Sequence, residues 1–244
     1  MKKNKMQTAN KISAISFDVD DTLWNFSDSS DSALLETIDV LNKNHRGTSI
    51  KLNVKELQDL RDETESRLEG IIDDLDEIRK ESFRMILTKN EISNESLLSK
   101  LYGAYTSTKK TLTKPYKDVI PSIKFLKPYF KIGIISNGNC YPKDLGIENL
   151  IDFSIYSQQL SGIKKPDPKI FQIASEKINC SPKQILHIGD SYENDYVGAK
   201  NSGFQSILID RKNSFPKSKF SNINLINSLF EITKTQYFIE RKLQ

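Results

Sequence analysis

Cysteine is scarce: Cys140 and Cys180 are the only two in 244 residues. That count supports no disulfide framework and leads us to expect two free thiols in a reducing cytoplasm. Long apolar runs are missing as well. No stretch approaches the roughly 18 to 20 residues that a membrane-crossing helix needs, so no membrane partner is expected. The basic opening, MKKNKMQTANK, leads into no apolar h-region, which argues against a cleaved signal and for a frayed, solvated tail. No stripe of interleaved aromatic and basic residues accompanies the net charge of +4, so no nucleic-acid partner is expected. Internal repeats and low-complexity tracts are absent. Proline is missing from Ser30 to Lys110, a stretch that nothing therefore interrupts.

What is present fits a soluble globular chain, with 37% apolar and 28% charged residues. Its length suits one large domain, or a core carrying a smaller one. The proline-free stretch is rich in Leu, Glu, Lys and Arg. Its segments DSALLETIDVLNK, VKELQDLRDETESRLEGI, LDEIRKESFRMIL and NESLLSKLYGAYTS each space apolar residues by three and four, which predicts four helices. Asp28 or Ser30, Asn53, and Asn94 or Ser93 are the expected caps of three of them.

From Pro115 the pattern changes. DVIPSIKFLKPYF reads as a short helix stopped by Pro128, and KIGIISNG as a buried strand entering a turn. DPKIFQIASEKINC is a helix opened by Asp167 with Pro168 first. QILHIGDS and FQSILID read as further buried strands, with a helix ended by Gly203 between them. Together with the alternating ISAISFD near the N-terminus, this predicts an α/β fold: a Rossmann-like parallel sheet with helices on both faces. An all-helical insertion follows its first strand. The expected domains are a core from 1–25 and 114–244 and a helical domain from 26–113.

In such sheets ligands bind at the carboxyl ends of the strands, and each chemically notable stretch lies at one. FDVDDT places Asp18, Asp20 and Asp21 within four positions. Any single Asp there would read as a helix cap, but three together repel unless a positive charge lies close. GIISNGN ends a strand on Ser136 and Asn137. SGIKKPDPKIF carries Lys164 and Lys165, and Pro166 biases Lys165 toward extended backbone. HIGDSYENDYVGAKNSG delivers Asp190 to a strand end, with Asp195 five residues on. His187, inside that strand, reads as a satisfied core histidine.

Asp18-x-Asp20-x-Thr22 resembles the first motif of the haloacid dehalogenase-like superfamily, in its phosphatase branch with a helical cap. Many members have glycine where this chain has Asp21. Ser136, Lys165 before Pro-Asp-Pro, and Gly189-Asp190 with Asp195 resemble the second, third and fourth motifs, in the family's order. The resemblance implies an aspartyl-phosphate mechanism that hydrolyses a small phosphorylated metabolite. Asp18 would be the nucleophile, and Asp20 the acid and then the base. Ser136, the Asn137 backbone N–H and Lys165 would hold the phosphoryl oxygens. Mg²⁺ would be held by Asp18, the Asp20 backbone carbonyl and Asp190, with Asp195 acting through water or by orienting the others.

An acid two residues after the nucleophile favours phosphoryl transfer over carbon–halogen cleavage within that resemblance. A phosphomutase and a non-catalytic phospho-ligand binder are the alternatives. A monomer or weak homodimer is expected. Arg61, Arg67, Arg79, Arg84 and Tyr102 in the helical insertion are candidates for reading the substrate, although each taken singly reads as a solvated helix face.

Overall fold

The computed structural model describes residues 11–44, 50–216, 218, 220–235 and 237–238. Of the N-terminal tail expected over the first eleven residues, the first ten lie outside them. The sheet contains β1 (Ala14–Phe17), β2 (Lys131–Ser136), β3 (Phe153–Tyr156), β4 (Ile185–Gly189), β5 (Gln205–Ile209) and β6 (Leu225–Ile226). All pairings are parallel, and the strands lie in the order β3-β2-β1-β4-β5-β6. Helices cover both faces, so the strands carry near-continuous apolar runs, and every residue of β1 and β4 is buried.

From β1 the chain adds strands on one side as far as β3, then returns to β1's other side to place β4. Ala14 thus lies opposite both Lys131 and Ile185. The switch in strand order falls between β1 and β4, where a crevice opens beyond the carboxyl ends. Asp18 and Asp190 emerge from these two neighbouring strands.

Between β1 and β2 come α1 (Phe26–Asn44), α2 (Val54–Leu68), α3 (Leu75–Lys89), α4 (Glu95–Leu112) and α5 (Val119–Leu126). The first four pack around a core of their own, centred on Leu34, Leu57, Phe83, Leu98 and Leu101. It is separate from the clusters that cover the sheet. Asn53 caps α2 in a reciprocal capping box with Glu56, and Asn94 caps α4 by accepting from the Leu97 N–H at 2.9 Å. Neither Asp28 nor Ser30 caps α1, which begins earlier. Asn25 sits at its start, its side-chain oxygen accepting from the Asp28 N–H at 3.3 Å. Asp28 lies inside the first turn and Ser30 just beyond it.

After β3, α6 (Pro168–Ile178) is capped by Asp167, as its sequence predicts. The helix predicted before Gly203 is a wide π-helical turn over Tyr192–Val197 followed by one turn, α7 (Gly198–Asn201). β3 and β6 have no counterpart in the sequence reading. Both are outer strands of four and two residues, too short to show a period.

Candidate active site

Asp18 follows β1 directly, and its N–H donates to the Ile188 carbonyl at 2.9 Å, tying it to β4. Its Oδ1 accepts from Lys165 Nζ at 2.6 Å, and the same ammonium donates to Asp195 Oδ1 at 2.5 Å. Lys165 is only 2% exposed, so one buried cation bridges two buried carboxylates. Burial presses against the charge of Lys165, but Asp18 and Asp195 outweigh it and hold the pKa above the ordinary lysine range. Lys164, its neighbour, reaches outward to Glu65 at 3.3 Å.

The carboxylates respond differently to this shared cation. Burial raises Asp18 well above the usual range; Lys165 opposes that, while Asp195, Asp190 and Asp20 add to it. Burial and the charge on Asp195 push Asp190 up to about 7. Burial would raise Asp195 too, yet Lys165 and His187 hold it below the usual range. Its Oδ2 also accepts from the Ser191 N–H at 2.9 Å. Asp195 rises from the π-helical turn to lie flat against β4, where a Cβ on Gly189 would come within 2.2 Å of its carboxyl carbon. Only glycine fits before Asp190. Ligand oxygens of Asp18, Asp190 and Asp195 all lie within 4.8 Å of one another.

His187 is more engaged than a merely satisfied core residue. Its Nε2 lies 3.0 Å from Asp195 Oδ1, and its Nδ1 lies 2.9 Å from Ser16 Oγ. Burial lowers its pKa, which keeps the ring neutral. A neutral ring donates to Asp195 through Nε2 and accepts from Ser16 at Nδ1. The sequence signal for it was polarity in an otherwise apolar strand, and the partner is visible only once β1 and β4 are side by side.

Asp20 is not one of the three carboxylates drawn together there. Trp24, fully buried, donates from Nε1 to Asp20 Oδ1 at 2.8 Å. Burial raises the Asp20 pKa, against the lowering effects of Lys109 and this bond. Asp21 turns the chain, with φ at 55°, and takes the Ser27 N–H at 3.0 Å. Thr22 donates to Asp190 Oδ1 at 3.0 Å, so the first and fourth motifs are bonded directly.

At the end of β2, Ser136 Oγ accepts from the Gly138 N–H at 3.0 Å, which leaves its own proton free to donate. The Asn137 side chain grips the backbone of Lys165 twice: Nδ2 donates to its carbonyl at 2.9 Å and Oδ1 accepts from its N–H at 2.8 Å. This positioning by a side chain was not foreseen from the sequence, where only the Asn137 backbone had a role.

The helices roof this floor, and two voids lie beneath them. One, of about 440 Å³, is lined by Asp20, Asn137 and Gly138 below and by Gln58, Arg79, Tyr105 and Lys109 above. The other, of about 630 Å³, shares Arg61, Asp62, Leu75 and Asn137 with it and reaches Lys164 and Lys165. Asn139 links floor and roof, donating to Asp76 Oδ1 at 2.9 Å while accepting from Lys109 at 3.2 Å. Arg84 pairs with Glu81 and Glu95, and neither it nor Arg67 nor Tyr102 lines these voids. Arg79 departs from the expected solvated face. It is 8% exposed and turned inward.

Gly138 gives a direct test of the Asp20 position, because a Cβ there would stand 2.1 Å from Asp20 Oδ2. The atom displaced is the tip of a side chain, so the fold should tolerate Gly138→Ala. Turnover is expected to fall by about 10²-fold, the usual worth of a positioned acid–base group. Steady-state rates and a melting curve check this; unchanged turnover in folded protein would show that Asp20 has no fixed place in the chemistry.

Comparison with known proteins adds a family and a fold. A haloacid dehalogenase-like hydrolase family model matches residues 12–203. A glyceraldehyde 3-phosphate phosphatase of Methanopyrus kandleri is 28% identical over 207 residues, covering 82% of this chain and 84% of the relative. A 5-amino-6-(5-phospho-D-ribitylamino)uracil phosphatase of Escherichia coli is 26% identical over 208 residues, covering 83% and 85%. Among solved structures, a 2-haloacid dehalogenase from Pseudomonas syringae superposes with a TM-score of 0.75 at 21% identity, covering 95% of this chain and 99% of that one. At that identity the likeness concerns the fold.

Proposed function

The chain belongs to the haloacid dehalogenase-like hydrolases, and from that premise we propose that it is a Mg²⁺-dependent phosphatase of small phosphomonoesters working through an aspartyl-phosphate. The observation that carries this reading is Asp20, an acid two residues beyond the nucleophile that lines the same void as Gly138 and is held in place by Trp24. Carbon–halogen cleavage has no need of a proton donor at that point. Phosphate ester cleavage does, because an alkoxide leaves. Relatives named as phosphatases over more than four-fifths of the chain support the same choice.

In this reading an Asp18 carboxylate oxygen attacks phosphorus, and the bond to the ester oxygen breaks. Asp20 gives its proton to the departing oxygen. Asp20 then takes a proton from the water that attacks the aspartyl-phosphate, freeing phosphate and restoring Asp18. Ser136, the Asn137 N–H and Lys165 hold the phosphoryl oxygens, and Asn137 also fixes Lys165 through its backbone. Asp18, Asp190 and Asp195 fit Mg²⁺, being an all-oxygen set whose mutual repulsion a divalent charge relieves. The chemistry a bound Mg²⁺ supplies is neutralisation of charge as one anion approaches another. Asp195, whose oxygens are already taken by Lys165, His187 and Ser191, serves through water or by orientation.

Residues 26–113 act in this reading as the cap and 1–25 with 114–244 as the core, the cap excluding water and choosing the ester. The test is phosphate release from about a hundred phosphorylated metabolites, with Mg²⁺ and with EDTA. Release that needs the metal and is confined to a few related esters is expected. Halide release from 2-haloacids, with none of the esters cleaved, would overturn the reading.

A further inference from the structure

Arg79 is the one guanidinium among the described residues that is both buried and without a carboxylate partner. Arg61 holds Asp62 and Glu65, Arg84 holds Glu81 and Glu95, and Arg211 holds Asp118. The polar contacts of Arg79 are a bond from Nη1 to the Leu57 carbonyl at 3.3 Å and one to the Tyr105 side chain, both neutral partners. Its guanidinium carbon lies 5.1 Å from the centre of the Tyr105 ring and 5.9 Å from that of Phe83. The aromatic packing fixes the plane of the fork and leaves most of its five N–H groups unspent. A buried, unpaired guanidinium is unfavourable unless something else supplies the negative charge.

No carboxylate on the walls of its void pairs with it directly, and Asp62 acts on it only as the last of several influences. Asp31 accepts from Gln58 at 2.6 Å, and Asp62 belongs to Arg61 at 3.2 Å. Asp76 accepts from Asn139 at 2.9 Å, and Asp20 from Trp24 at 2.8 Å. Of the other two cations there, Arg61 holds Asp62 and Glu65, and Lys109 donates to Asn139 at 3.2 Å and offsets Asp20. The same 440 Å³ void reaches from Asp20 and Gly138 on the floor to Arg79 on the roof, so a small molecule placed for the chemistry meets the fork with its other end.

We propose that Arg79 is the specificity site for a second anionic group, so that the substrate carries a carboxylate or a second phosphate in addition to the phosphate that is removed. A planar fork held by a ring beneath it suits either group, through paired N–H···O bonds. The proposal rests on the phosphatase reading for the position of the scissile phosphate. It goes beyond that reading in naming what the far end of the substrate must carry.

The test compares kcat/KM across a chain-length series of ω-phosphoalkanoates with the matching neutral ω-hydroxyalkyl phosphates and the matching α,ω-bisphosphates. At the best length, an anionic tail is expected to be preferred over the neutral one by about tenfold or more. The carboxylate and bisphosphate arms tell which anion is read. Arg79→Gln should collapse the preference to near one, chiefly through KM, and Arg79→Lys should keep part of it. Equal handling of neutral and anionic tails by the wild type, or a preference that survives Arg79→Gln, overturns the proposal. Should Arg79→Gln fail to fold, the wild-type ratio and Arg79→Lys decide. Should no ester release phosphate, the phosphatase reading falls on its own. The same compounds titrated calorimetrically against wild type and Arg79→Lys then judge Arg79: tighter binding of the anionic tail that weakens in the variant supports the site, and equal binding refutes it.

Discussion

Asp18→Asn is expected to lower phosphate release by about 10⁴-fold or more, as removal of a nucleophile does elsewhere, while the melting temperature stays level or rises. The two halves of that expectation have one cause. Asp18 is buried among Asp20, Asp190 and Asp195, and its carboxyl is held well above the usual range, so its ionised form is disfavoured in the fold. An amide keeps the shape and removes one charge from the repelling group. Lys165 is not stranded, because Asp195 still accepts from it at 2.5 Å. Phosphate release in a single-turnover format and scanning calorimetry on the same preparation check both halves. Loss of activity together with a markedly lower melting temperature would mean that Asp18 is a structural anchor; retained turnover would remove it as nucleophile.

Lys165→Met should be the most damaging single change to the site, because it affects stability and turnover together. One ammonium bridges Asp18 and Asp195, and both bonds lie in the interior. Deleting it takes the buried cation from Asp18 and leaves Asp195 only its bonds to His187 and Ser191, a loss of about 3–5 kcal/mol. For a chain of this size that is a fall in melting temperature of about 6–20 °C. Turnover should drop at least as far as for Gly138→Ala, since the phosphoryl oxygens lose a fixed cation. The neighbouring lysine is the control. Lys164 is half exposed and pairs with Glu65 across the surface, so Lys164→Met should cost under about 1 kcal/mol. Urea unfolding of both variants separates them; equal losses would show that the buried bridge carries no special weight.

The site was legible where chemistry coincides with a strand end. A buried strand announces itself as an apolar run, and a polar residue closing that run has a known address at the sheet's carboxyl edge. Asp18, Ser136 and Asp190 could be placed this way, and Lys165 by its prolines. Long-range partners could not. Asn137 contacts Lys165 across 28 positions, and Ser16 meets His187 across 171, with nothing local to indicate either. Arg79 was misjudged for a related reason. Charge at a helical position reads as solvent-facing unless the sequence shows what lies above it, and here the floor of the cleft comes from another part of the chain. β3 escaped because four residues, F-S-I-Y, are too few to establish alternation. The start of α1 was placed late because every residue from Ser27 to Ser32 is of a type that suits a cap.

The passage of the chain into and out of the helices ties their footing to Asp20. Trp24, on the way in, bridges to Asp20 and, on the other side, to Pro115 on the way out, while the Tyr116 N–H donates to the Leu23 carbonyl at 2.9 Å. The two crossings thus form one narrow neck, and the tryptophan in that neck is the residue whose indole holds the Asp20 carboxyl. In the phosphatase reading, the support of the proton donor is thereby built into the join between the helices and the sheet.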